Sequence, residues 1–115
     1  MKNLAIALLF LLCTCMAFAA SDGNQLLHDC QVSIHAEDTG TLLEREEIPA
    51  TYCVAVVHGV SDLAQVWGGV EYPLGWTEAQ GIRVVVAYLE RHPESLHKRD
   101  TLLIYTALRE AFPKK

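Results

Sequence analysis

The first nineteen residues constrain everything that follows them. Met1-Lys2-Asn3 carries one positive charge, residues 4 to 12 are almost wholly aliphatic, and Ala17-Phe18-Ala19 supplies the small-x-small pattern read by signal peptidase. Residues 1 to 19 therefore read as a cleaved secretory signal, leaving residues 20 to 115 as a single exported domain with no membrane span. A retained anchor would need about 20 apolar residues, and a lipid-modified Cys13 or Cys15 would need a small residue before it, where Leu12 and Thr14 stand. Cleavage removes two of the four cysteines and leaves Cys30 and Cys53. An even number of cysteines in an oxidising compartment points to a disulfide, the alternative being two separate buried thiols. For a closed loop of 24 residues, counted from 30 to 53 inclusive, the chain-entropy relation gives about 3.5 kcal/mol.

Charge and length narrow the function classes. The 115-residue chain has a net charge of −5. Loss of Lys2 with the leader leaves eight basic and fourteen acidic residues, a net charge of −6. Nucleic-acid affinity comes largely from clustered Lys and Arg, and this chain has no such cluster. About 96 residues suffice for one modest core.

Four segments repeat their apolar residues at helical rather than strand spacing. The first, about Gly23 to Ile34, aligns Leu27, Cys30 and Ile34 behind Ser21 and Asp22 as candidate N-caps. Residues 35 to 49 carry five acidic side chains and end in Pro49, so they read as a long exposed connection. The second helix, about Ala50 to Trp67, places Cys53, Val56, Val57, Val60, Leu63 or Ala64, and Trp67 on a core stripe. Gly59 within it implies either a close helix approach or a bend. Gly68-Gly69 ends this helix and opens a turn running to Trp76. Thr77-Glu78-Ala79-Gln80 has the form of a capping box; Ile82, Val85, Val86 and Leu89 follow, and His92-Pro93 stops the third helix. The last helix runs from Asp100 as N-cap to Phe112, with Ile104, Ala107, Leu108 and Ala111 inward. The expected fold is all-α: a small four-helix bundle, its first two helices tied by one intrachain disulfide.

Catalytic patterns are present only in fragments. A disulfide-bonded sulfur has no thiolate with which to attack. His92-Pro93-Glu94-Ser95-Leu96-His97 lacks the i, i+4 spacing and unbroken helix of a zinc-protease motif. His28-Asp29-Cys30 has no second ligand pair at metal-site spacing. His58 and Asp62 lie four apart, a spacing that serves a local contact as readily as an acid–base pair, and Ser61 between them has no nucleophile-elbow context. Catalytic residues, cofactor and metal are accordingly all assigned as none. Trp67, Tyr72 and Trp76 form either a plug at the bundle end or a platform for a partner.

Taken in order, several pieces resemble one family. Gly23-Asn24-Gln25-Leu26-Leu27 is followed by Cys30, then by Cys53 with Val57-His58-Gly59-Val60-Ser61-Asp62. Next come Pro73-Leu74-Gly75-Trp76-Thr77, Tyr88-Leu89-Glu90-Arg91-His92-Pro93-Glu94 with His97, and Ala107-Leu108-Arg109-Glu110-Ala111-Phe112-Pro113. The set resembles the Rap/Tai self-immunity proteins of type VI secretion and covers nearly the whole mature chain. The resemblance implies a small helical, disulfide-bonded periplasmic protein, often a homodimer, that binds and blocks a peptidoglycan amidase effector. The alternative is a periplasmic binding or assembly module with no effector partner. Family members commonly carry a second cysteine pair at the positions occupied here by Glu71 and Lys114, so these two residues are expected to be neighbours at the surface.

An inhibitor of this kind is expected to make contact through its loops. Exposed carboxylates steer association with a basic partner, and aromatic anchors carry binding energy. The candidate effector-binding residues are Glu37, Asp38, Glu44, Glu46 and Glu47 in the acidic connection, with Tyr72 and Trp76 in the glycine-bearing turn. For the acidic residues the competing reading is a solvated surface.

Overall fold

The computed structural model describes residues 20–115; the leader assigned to residues 1 to 19 lies outside them. Its regular structure consists of four helices: α1 (Gly23–Thr39), α2 (Glu47–Val66), α3 (Glu78–Arg91) and α4 (Asp100–Ala111). Short 3-10 turns occupy Glu44–Glu46 and Pro93–Ser95. Among the described residues β-structure is limited to two isolated bridges, and the fold is the expected all-α bundle.

Local chemistry sets most helix ends. The Asp22 carboxylate accepts the N–H groups of Asn24 and Gln25, each at 3.0 Å, which satisfies two of the free donors at the start of α1. α1 continues five residues past Ile34, because nothing between His35 and Thr39 breaks a helix. It stops where Gly40, at φ 67°, donates its N–H to the Ala36 carbonyl. The expected long acidic connection is correspondingly short. α2 begins at Glu47 and tolerates Pro49 in its first turn, where a missing N–H leaves no bond unmade. At its far end Gly68 donates to Gln65 and Gly69 to Ala64, the paired bonds of a Schellman stop. Thr77 and Gln80 form the expected capping box of α3. Asp100, expected as the cap of α4, is its first helical residue and accepts the N–H of Thr101 and the Tyr52 hydroxyl.

The core is built from all four helices: Leu26 and Cys30; Cys53, Val57 and Ala64; Ile82, Val85, Val86 and Leu89; and Leu103, Ile104, Ala107 and Leu108. Cys30 and Cys53, both fully buried, are disulfide-bonded with their Cα atoms 5.1 Å apart, joining α1 to α2. The stripe on α2 differs in part from the sequence expectation. Cys53, Val57 and, of the two alternatives, Ala64 are buried as expected and Ser61 joins them, whereas Val56 and Val60 are half-buried, and Leu63 and Trp67 face outward. α2 packs against all three other helices; small side chains on its inner face let them approach, and the larger ones turn away. Ala111 is likewise exposed rather than inward. Gly59 marks neither close contact nor a break, since a Cβ built there meets nothing within 4 Å and the helix runs through it.

Two backbone clamps fasten the connections to the ends of the domain. Gly23 donates to Lys98 O at 3.0 Å and Asn24 to Leu96 O at 3.2 Å, which seats the start of α1 on the α3–α4 turn. A Cβ at Gly23 would lie 2.9 Å from the Leu96 backbone, so this approach needs glycine. At the other clamp, Val70 pairs with Pro113 and Glu71 donates to Phe112 O.

Candidate partner-binding surface

The segment from Gly68 to Thr77 leaves the Schellman stop of α2, runs along the C-terminal segment, and then folds back into α3. Tyr72 stacks on Trp76 with centroids 4.0 Å apart and planes 7° apart, and both rings meet Phe112 edge-on. The Trp76 ring occupies the space beside Gly81, where a Cβ would lie 2.7 Å from it. The Tyr72 hydroxyl donates to the Ser61 carbonyl at 3.4 Å, and burial raises the pKa of the phenol. Both rings proposed as contacts are thus half-buried and brace the loop. What the brace presents is Leu74. It occupies the second position of a turn closed by Trp76 N–H to Pro73 O at 3.1 Å, with Gly75 at φ 80° supplying the left-handed residue. Leu74 is fully exposed. Sequence reasoning passed over it, although Pro73-Leu74-Gly75 was itself the signal, because a leucine in such a turn has no helix face to join.

Glu71 and Lys114 belong to the two segments joined by this clamp, but its register sets Glu71 opposite Phe112 rather than Lys114. Among the described residues the ion pairs do not include them. The Glu71 carboxylate accepts the Lys115 N–H at 3.5 Å, and the Lys114 ammonium lies beside Gly68.

The acidic candidates fall on three elements. Glu37 and Asp38 occupy the last turn of α1, at the negative end of its dipole, where carboxylates are unfavourable. Arg83 of α3 offsets them, with Nη2 at 2.5 Å from Asp38 and 3.3 Å from Glu37, and these contacts raise the Arg83 pKa. Glu44 and Glu46 lie in the 3-10 turn, where the Glu46 carboxylate accepts the Leu43 N–H at 3.0 Å; Glu47 opens α2. Leu42 and Leu43 between them, and Ile48 directly after Glu47, are exposed. A second apolar region lies between α2 and α4, a cleft of about 400 Å³ lined by Val60, Leu63, Trp67, Leu102 and Tyr105.

The fragments of catalytic pattern do not assemble. His58 is flanked on opposite sides by Asp62, 3.5 Å from Nε2, and Glu78, 3.3 Å from Nδ1. Ser61 is buried, and among the described residues its hydroxyl has no hydrogen-bond partner. His28 contacts the buried Asp29, whose carboxylate also accepts the Gln25 amide, while Cys30 is committed to the disulfide. His92 ends α3 beside Glu94. Among the described residues no group of three or more His, Cys, Asp or Glu is placed to hold a metal ion, and no helix is long and apolar enough to cross a membrane.

Together these features define a small, disulfide-tied helical domain whose exposed apolar side chains sit at connections and on the outer sides of α2 and α4. The family model of the Rap1a immunity proteins matches residues 22–113, from the N-cap of α1 to the proline paired with Val70, and the chain belongs to that family. Membership implies a binding role toward a cognate effector. Neither a curated protein nor a solved structure matches the chain.

Proposed function

We propose that the mature protein is a periplasmic immunity protein that binds and blocks a peptidoglycan amidase delivered by type VI secretion, so protecting the cell that makes it. The family match across the whole bundle carries this reading. The apolar leader sequence supports export to the compartment where such an amidase acts. Inhibition is by occlusion. The loop around Leu74, held by the Tyr72–Trp76–Phe112 cluster, enters the substrate cleft and keeps peptide stems from the catalytic cysteine and histidine. Because the loop is already braced, little conformational entropy is lost on binding, which favours affinity.

Co-expression tests the reading. Cells exporting the amidase encoded beside this chain should lyse without the immunity protein and survive with it, and the two proteins should co-purify. Continued lysis with no complex would refute an immunity function and leave a periplasmic binding module. Leu74→Asp should weaken the complex at least about tenfold if Leu74 is a central apolar contact.

A further inference from the structure

Charge is distributed unevenly along this chain. Residues 20–80 contain ten acidic side chains and one basic, Arg45, whereas residues 81–115 contain four acidic and seven basic. The acidic excess is concentrated where α1 passes into α2. Glu37, Asp38, Glu44, Glu46 and Glu47 fall within eleven residues there, and the only ion pairs they make among the described residues are those of Glu37 and Asp38 with Arg83. In this connection and the first turn of α2 are three exposed aliphatic side chains: Leu42 at 44 %, Leu43 at 49 % and Ile48 at 82 %. The core does not use them, and the 3-10 turn between them fixes their spacing through the Glu46 carboxylate bond to the Leu43 N–H. An apolar centre inside a charged rim is the usual anatomy of a protein contact.

We infer that the α1–α2 connection is a second docking surface for the effector, in which Leu42, Leu43 and Ile48 enter an apolar socket surrounded by Lys and Arg that face the five carboxylates. The inference rests on the immunity reading and adds to it the chemistry of the partner's surface. Charge decides the occupant. A second copy of this chain would bring ten carboxylates together around one contact, and like charges facing each other are unfavourable. Anionic lipid would be repelled in the same way. A basic protein surface is attracted at a distance and then desolvates the leucines and isoleucine on contact. The site lies at the opposite end of α2 from the Leu74 loop. Twenty residues at about 1.5 Å each put the two some 30 Å apart, within the breadth of one standard interface.

Arg83 gives the inference a sign that can be read. As the cation paired with Glu37 and Asp38, it opposes attraction of a basic partner, so Arg83→Gln should speed association. A surface residue that mattered only for the fold would weaken binding or leave it unchanged.

The test uses the mature protein and the effector encoded beside it, purified with its catalytic cysteine replaced. Ile48→Asp and Leu43→Asp, each checked by circular dichroism for an intact fold, should raise the Kd about tenfold or more. The Glu44→Gln, Glu47→Gln pair should slow association severalfold at low salt, with the difference disappearing at high salt, while Arg83→Gln should accelerate it. Unchanged affinity in both Asp variants, with the wild type binding normally, would overturn this site while leaving the immunity reading intact. No binding by the wild type would overturn both. Loss of self-association by Ile48→Asp at unchanged effector affinity would assign the face to a second copy and also overturn the proposal.

Discussion

Opening the Cys30–Cys53 bond while leaving both side chains in place isolates what the cross-link contributes. The bond closes a loop over a sequence separation of 23, and both sulfurs are fully buried between α1 and α2. In the chain-entropy model its main effect is on the unfolded state, which gains about 3.5 kcal/mol of conformational freedom on reduction. That is a large part of the roughly 5–15 kcal/mol by which a domain of this size is folded. Urea unfolding of residues 20–115 with and without reductant should show the midpoint falling by about 1–3.5 M, given a slope of about 1–3 kcal/mol per molar urea. The slope itself should rise on reduction, because a released chain exposes more surface. Replacing both residues, Cys30→Ala with Cys53→Ala, should cost a further roughly 1–3 kcal/mol, since each missing sulfur leaves a small void in the core. A midpoint shift below about 0.5 M at constant slope would refute the reasoning, because the α1–α2 pair would then be held by packing even in the unfolded ensemble.

Two glycines with opposite surroundings should respond in opposite directions. Gly59 lies exposed in mid-helix with open space around its Cβ direction, so Gly59→Ala should stabilise by about 0.5–1 kcal/mol in the same urea assay. Gly81 backs onto the Trp76 ring, so Gly81→Ala should destabilise by about 1–3 kcal/mol and shift tryptophan fluorescence as the ring is displaced. Asp22 has its pKa lowered below 3.8, chiefly by the Gln25 N–H bond, so its contribution is present above that value and lost as pH falls through the folded-state pKa. Asp22→Asn should therefore flatten the acid limb of the stability profile below pH 3.8, and an unchanged limb would exclude Asp22 as its source. The phenols of Tyr52 and Tyr72 are raised above 10.0 by burial, so the stability tied to their protonated form is fully present below that value and is lost as pH rises through their higher folded-state pKa. Alkaline unfolding monitored by phenolate absorbance should be delayed in Tyr72→Phe, which has no phenol to ionise.

Much of this protein is determined by local sequence. The Thr77 box, the Gly68-Gly69 stop, the Asp22 cap and the His92-Pro93 break each act within a few residues, so each could be recognised before any fold was known. Pairing of the two cysteines was expected from the leader sequence and the even count, and the order of motifs along the chain was enough to indicate the family. Other features were decided only by tertiary structure. The carboxylates in the last turn of α1 are offset by Arg83, forty-five residues from Asp38, a pairing that no local pattern announces. On α2, Cys53 and Val57 lie inward as expected, but it took the packing of three helices to choose Ala64 over Leu63, to bring in Ser61 and to leave Val60 and Trp67 aside, since apolar spacing alone cannot distinguish adjacent registers of one stripe. Tyr72 and Trp76 became a brace, with Leu74 left exposed, because Phe112 arrives from the far end of the chain to meet both rings, while Gly81, close by in sequence, leaves room for the indole. Helix ends and covalent ties depend on neighbours in sequence, whereas burial depends on neighbours in space, and it is burial that decides which side chains remain to meet a partner.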